Sequence, residues 1–276
     1  MPNNPSVPAF GDYHVHSTFS DGKTDPRTIV EAAIAAGLGA IGFSEHSYTP
    51  FDLDSCIALE DRQAYIDTIH ALREEYAGRI RIYCGIEQDI LSGRRDPRWD
   101  YAIGSVHYLH IGDRYYCVDF HVEDLYAVRD DCFGGDIYAV AEAYFQSVSH
   151  VVEETGCDVI GHFDLIRKLN RRHGLFDATH PRYRAAWQRA ADALLKTGKP
   201  FEINTGGVSR GHCDEPYPAE EMLTYLSERG ARFLLSSDSH DPRFLAYDFS
   251  GQQARAARLG LTLIPGPWDQ AMDNPS

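Results

Sequence analysis

Six histidines and three acids stand out because each falls at or just after the end of a short apolar run. His14 and His16 sit one residue apart in "GDYHVHSTFSDG", with Asp21 just beyond them. His46 ends "GAIGFSEH", Glu87 lies near the end of "RIYCGIEQDI", and His107 follows "YAIGSV". His162 belongs to "CDVIGHFDL", and Asp238 and His240 close "RFLLSSDSH". Residues i and i+2 of an extended strand point the same way, so His14 and His16 share a direction, as do Asp238 and His240. Imidazole and carboxylate together suit Zn, Mn or Fe better than Mg or Ca. Nine such groups exceed what one ion takes, so the set implies two or three ions. One histidine at a strand end ordinarily meets solvent; the repetition at one end of every unit is what points to a shared site.

These groups need a scaffold that brings distant strand ends together. Seven strand candidates run through the chain: the five segments just quoted that form apolar runs, "FGDYHVH", and "PFEINTGG". Most are continuously apolar, as parallel strands buried on both faces are. Helical patterns lie between them. Asp25 and Pro26 form an N-cap and first helical position, followed by Ile29, Val30, Ala33 and Ile34 and a stop at Gly37. Pro181 and Pro218 read as further helix starts, with stops at Gly198 and Gly230. Longer helices are predicted over about 58–77 and 135–155, and "HIGDRYYCVDF" reads as a hairpin turning at Gly112-Asp113. Repeated βα units without a linker predict one α/β domain with a core of about 10–267 and tails 1–9 and 268–276. The strands suggest a closed or nearly closed barrel, whose strand C-termini open on one face and carry the site.

Composition narrows the partners. The 276 residues carry a formal charge of -15 and are 43% hydrophobic. That predicts a folded protein with no broad affinity for nucleic acid or anionic membrane, while a local site can still differ in sign from the whole. The six cysteines are scattered without a CxxC pair and read as reduced thiols of a cytoplasmic protein. "MPNNPSVPAF" has neither the basic nor the apolar segment of a signal peptide, and no apolar run is long enough to span a membrane. No oligomeric state follows from the sequence.

Taken in order, HxH, the histidine of "SEH", "GIE", "GSVH", "GHFD" and "DSH" resemble the polymerase and histidinol phosphatase (PHP) family, from Asp12 to about Pro265. "GSVHYL" and "GHFDLIRKLN" are similar to its histidinol-phosphate phosphatase branch. The resemblance implies a distorted (β/α)7 barrel with a trinuclear metal site at the C-terminal ends of the strands. It implies that His14, His16, Glu87 and Asp238 hold one ion, that Glu87 bridges to a second held with His107 and His162, and that Asp21, His46 and His240 hold a third. The implied activity is hydrolysis of L-histidinol phosphate to L-histidinol and phosphate, a step of histidine biosynthesis.

The chemistry follows from charge. Three divalent ions bring about +6, of which three carboxylates and a bridging hydroxide cancel about four, leaving a cationic pocket for a small phosphate monoester. The leaving alkoxide needs a proton or a cation, which the third ion, or Asp238 or His240 with its bound water, could supply. Arg167 and Arg210 are candidate phosphate clamps, and Lys168 stands beside the first. Glu45 and Asp164 are candidate acceptors orienting metal-bound imidazoles. Tyr115, Tyr116 and Asp119 could receive the cationic end of such a substrate, and His212 or His110 could approach the mouth. Gly206-Gly207 reads as a turn allowing close backbone approach, since no phosphate-loop pattern surrounds it. Two alternatives remain at this point: a phosphoesterase for another ester, such as a nucleotide or sugar phosphate, or a metal-binding module without turnover. The complete ligand set argues against the module, and the lack of a basic groove or aromatic run argues against a processive nuclease.

Overall fold

A computed structural model of the chain describes residues 11–266, so the two expected tails lie outside the described residues. The strands in chain order are β1 (Gly11–Asp12), β2 (Ala40–His46), β3 (Arg81–Asp89), β4 (Tyr101–Ser105), β5 (Tyr108–Ile111), β6 (Arg114–Cys117), β7 (Val159–Ile160), β8 (Phe201–Asn204), β9 (Arg232–Ser236) and β10 (Thr262–Leu263). Eight form one parallel sheet in the order β1-β2-β3-β4-β7-β8-β9-β10, and β5 and β6 form the separate antiparallel hairpin. Seven strands were expected in the sheet; the eighth, β10, is two residues long and pairs with the start of β9. The sheet curls until its ends meet at the mouth. There Val15 makes a parallel bridge to Ser239, His16 N–H donates to Ser239 O (2.9 Å) and Ser239 N–H donates to His14 O (3.1 Å).

The helices are α1 (Pro26–Ala35), α2 (Arg62–Glu75), α3 (Val122–Phe133), α4 (Ile137–Ser149), α5 (Val151–Thr155), α6 (Asn170–His173), α7 (Pro181–Leu195), α8 (Gly206–Ser209), α9 (Glu220–Ser227) and α10 (Phe249–Leu259). Asp25 caps α1 as its type demands, accepting from Thr28 N–H at 3.1 Å. The helix expected over 58–77 is shorter at both ends, and the one over 135–155 breaks at His150 into α4 and α5. Pro218 does not start α9: it follows a cis bond from Tyr217, and α9 begins two residues later.

Strand alternation explains both the plug of the barrel and the site above it. Tyr83, Gly85, Glu87 and Asp89 of β3 share one side, as do Tyr101, Ile103 and Ser105 of β4. Tyr13, Tyr83, Tyr101, Ile103, Val159 and Leu234 pack together in the interior. The Tyr101 hydroxyl donates to Tyr13 O (2.5 Å) and Phe43 O (3.1 Å). Any Cβ on Gly42 or Gly85 would fall 2.3 Å from the Tyr101 ring or its hydroxyl, so these strand glycines make room for the plug. Two larger apolar layers lie outside, one between α1, α2 and β1–β3, the other between α3, α4, α7 and β7–β9. Apolar burial thus fixes the lower barrel and the outer helices, and leaves the upper interior to polar groups.

Candidate metal centre

The nine expected groups form one connected cluster, with five of the imidazoles around Glu87. Glu87 is 1% exposed. Its Oε2 lies 3.1 Å from His14 Nε2, 3.5 Å from His16 Nε2 and 2.9 Å from His46 Nδ1. Its Oε1 lies 2.8 Å from His162 Nε2 and 3.3 Å from His107 Nε2. Asp238 Oδ1 stands 3.6 Å from His16 Nε2, 3.9 Å from His14 Nε2 and 3.5 Å from His240 Nδ1. Asp21 Oδ1 stands 3.2 Å from His240 Nε2 and 3.7 Å from His46 Nε2.

Three sets of donor atoms come within 4.8 Å of one another: His16, Asp21, His46 and His240; His14, His16 and Glu87; and His46, Glu87 and His107. The first contains the whole of the set expected for a third ion and adds His16. His46 also groups with Glu87 and His107, where His162 was expected.

The fit to a metal rests on unpartnered atoms. His14 Nε2, both ring nitrogens of His16 and Glu87 Oε2 are buried without a hydrogen-bond donor or acceptor of suitable geometry. Buried polar atoms are rarely left so, and a cation would satisfy all of them at once. Burial, then His240 and His46, push His16 down to about 3, so its imidazole is neutral and its lone pair free. Burial works against ionisation of Glu87, but His14, His46 and His107 outweigh it and hold the carboxyl well below its ordinary range. At His14 burial is likewise outweighed, by Glu202, Glu87 and Asp238, which raise its pKa well above the ordinary imidazole value.

The backbone and lower barrel hold these groups in place. Val15 packs in the apolar layer beside α1 and α2, so its neighbours His14 and His16 both face inward. Glu202, one layer below, accepts from His14 Nδ1–H (2.5 Å), from the Ser236 hydroxyl and from His162 N–H (2.8 Å). Asp89 Oδ2 accepts from His107 N–H (2.9 Å) and lies 3.2 Å from its Nδ1. Such acceptors fix which nitrogen faces a metal. Asp238 adopts φ 50, a left-handed conformation for a residue that is not glycine. Arg210 holds it there, donating from Nη1 to its carbonyl (2.6 Å) and from Nη2 to Oδ2 (2.9 Å).

Several expectations are corrected. Glu45 orients no imidazole; it accepts from Ser17 N–H (3.0 Å), the Ser17 hydroxyl (2.6 Å) and the Ser20 hydroxyl (2.5 Å), and so shapes the loop that carries Asp21. Asp164 pairs with Arg167 Nε (2.5 Å) and accepts from Ala219 N–H (3.1 Å). Arg167 is no phosphate clamp: it is spent on Asp164, on the carbonyls of Glu215 and Pro216, and on the Tyr217 ring, away from the cavity. Tyr116 turns into the helical core. His110 stacks on Tyr115 at 4.4 Å. The orienting acids that sequence reasoning missed, Glu202 and Asp89, had a signal: each is an acid at an inward position of a buried strand.

The cluster opens into a cavity of about 1240 Å³. Arg210, Lys168, Asp119, Tyr115 and His212 line it, as do Asp21, His46, Glu87, His107, His162, Asp238 and His240. Gly206 and Gly207 permit close approach: a Cβ would meet Asp238 Oδ2 and Tyr217 at 2.8 Å. Among the described residues no helix is long and apolar enough to cross a membrane.

Comparison with known proteins places this geometry. A Deinococcus radiodurans protein designated "Probable histidinol-phosphatase" is 30% identical over 253 residues, covering 87% of this chain and 89% of its own. The Bacillus subtilis histidinol-phosphatase is 26% identical over 261 residues, covering 86% of this chain and 96% of its own. The fold is similar to that of a histidinol phosphate phosphatase from Lactococcus lactis, solved with Zn, L-histidinol and phosphate. The TM-score is 0.68 at 23% identity, over 93% of this chain and 95% of that one. The PHP domain profile matches residues 12–206, and the chain belongs to the PHP domain family.

Proposed function

We propose that this protein is a metal-dependent phosphomonoesterase that hydrolyses L-histidinol phosphate to L-histidinol and phosphate. The observation that carries the reading is the gathering of five imidazoles around Glu87, with His240, Asp21 and Asp238 linked to them, and with buried nitrogens left unpartnered. Relatives named for this reaction, matching most of the chain, supply the substrate. Three divalent ions, Zn, Mn or Fe, would be held by His14, His16, Glu87 and Asp238; by Glu87, His107 and His162; and by Asp21, His46 and His240. When bound, these ions supply a nucleophilic hydroxide near neutral pH and neutralise the phosphoryl oxygens.

The chain's own groups do the rest. Glu87 directs one oxygen to each side of the cluster, and so sets the spacing of the groups around it. Arg210 is the phosphate-binding cation. Its Nη1 also lies 3.1 Å from His240 Nδ1, so it is braced on one side by Asp238 and His240. A guanidinium carries five N–H donors, more than Asp238 and His240 take up, and Arg210 lines the cavity. Asp238 and His240 serve the departing alkoxide. Asp238 is enclosed by Arg210, Asn204 and Gly206 and its side chain is 6% exposed against 19% for His240, so His240 is the better placed of the two to pass on a proton.

The test is phosphate release over a panel of monoesters, with metal analysis of the same preparation. L-Histidinol phosphate should turn over well ahead of nucleotide and sugar phosphates. Equal rates on all esters at matched metal loading would overturn the substrate assignment.

A further inference from the structure

The cavity is lined by groups of two different chemistries. Lys168, Arg210 and the metal cluster supply one set of lining groups, and Phe51, Asp52, Tyr108 and Tyr115, from the loop after β2 and the β5–β6 hairpin, supply another. In the second set Phe51 stacks on Tyr115 with centroids 3.7 Å apart and planes within 10°. Tyr108 meets Phe51 edge-on at 5.0 Å. Tyr108 is next in sequence to His107, and the two rings lie 6.4 Å apart, so this aromatic platform begins one ring away from the cluster.

Asp52 sits at the foot of the platform and lines the cavity. It accepts from the Tyr108 hydroxyl and from Ser55 Oγ (3.2 Å). Both donors are neutral, and among the described residues no cation pairs with Asp52. Of the other acids lining the cavity, Asp119 pairs with Lys168 at 2.7 Å and Asp89 with His107, while Asp54 lies on the loop after β2 and Glu123 and Asp124 in the first turn of α3. Asp52 therefore presents uncompensated negative charge beside an aromatic surface. That combination recognises an organic cation bearing a flat ring.

We propose that Asp52, with Phe51, Tyr108 and Tyr115, forms the subsite that selects the cationic end of the substrate. The proposal rests on the phosphatase reading above. In L-histidinol phosphate the ammonium stands on the carbon next to the phosphoester methylene, and the imidazole follows one carbon later. With phosphate at the cluster, the ammonium reaches toward Asp52 and the imidazole lies against Phe51, since Tyr115 is covered on its other face by His110. These residues determine specificity; the reacting atoms stay at the cluster.

The experiment compares kcat/KM for L-histidinol phosphate, O-phosphoethanolamine and ethyl phosphate. In the wild type the order should be as named. Asp52→Asn should cut the preference for O-phosphoethanolamine over ethyl phosphate roughly tenfold, the loss expected for a charged hydrogen bond. Asp52→Glu should restore part of it. Phe51→Ala should lower the preference for L-histidinol phosphate over O-phosphoethanolamine, chiefly through KM. These ratios are independent of the fraction of folded enzyme, and Phe51→Ala and Asp52→Glu carry the test if Asp52→Asn does not fold. Unchanged ratios in active variants overturn the subsite alone. An inactive wild type overturns the phosphatase reading and the subsite with it.

Discussion

The inner and outer halves of the metal centre are built differently. His14, His16 and Glu87 are at most 1% exposed, and the inner half is braced from below by the barrel. Glu202 on β8 and Asp89 on β3 hold His14 and His107, and both acids belong to strands whose pairing cannot shift without unpacking the core. The outer half is less enclosed: His46 closes β2, while Asp21 and His240 sit in loops. Asp21 is 35% exposed, and His46 and His240 are 20% and 19% exposed. The loop carrying Asp21 is tied to Glu45 through Ser17 and Ser20. A rigid inner half suits ions that must stay through many turnovers. A looser outer half suits an ion whose coordination changes as substrate enters and product leaves.

That contrast predicts a ladder of effects. Glu87 is shared by both sides of the inner half, so Glu87→Gln should lower phosphate release by roughly a thousandfold or more and strip metal from the purified protein. Metal analysis beside the rate checks both halves of the statement. Chelation should act on the fold as well, because the unpartnered atoms of His14, His16 and Glu87 then stay buried and unsatisfied. With free metal about a thousandfold above its Kd, removal should lower stability by roughly 4 kcal/mol, read as a fall in Tm that metal reverses.

The next step down separates the halves. Glu202→Gln removes the acceptor that fixes His14 and should cost roughly 10–100-fold in metal affinity or activity. Asp21→Asn touches the outer half alone, so metal in the inner half should stay and the rate should fall about tenfold. Equal metal loss in the two variants would break the distinction between the halves.

Much of this site could be read from residue order. A histidine or acid ending one apolar run after another is a pattern that only shared strand ends explain, and His14, Glu87 and Asp238 do meet. What stayed hidden depended on partners. Glu202 in "PFEINTGG" reads as an interruption of a strand until His14 is found above it. Arg167 reads as a free cation until Asp164 and the carbonyls of Glu215 and Pro216 close on it. Tyr115 and Tyr116 are alike in type, and only the pairing of the hairpin shows which of them faces the cavity. The eighth strand is too short for any periodicity, and its place comes from pairing with β9. Local patterns carried the strands and helices, whereas the roles of single charged side chains were set by contacts across long stretches of chain.

The smallest effect tests the outer half at its root. Ser20 donates to Glu45 Oε2 at 2.5 Å, and Ser17 donates to the same carboxylate from both N–H and hydroxyl. Gly22 follows, packed so tightly that a Cβ would lie 2.4 Å from the His16 carbonyl. Ser20→Ala removes one of several ties and leaves a buried carboxylate with its remaining donors, so about 1 kcal/mol of restraint on Asp21 is lost. The expected result is a several-fold weaker hold on the outermost ion, seen as a higher metal concentration for half-maximal activity. Metal held by the inner half, and the Tm set by it, should change little. A drop in inner-half metal as large as that in Glu202→Gln would mean that the loop and the barrel hold one indivisible cluster, and the contrast between them would be lost.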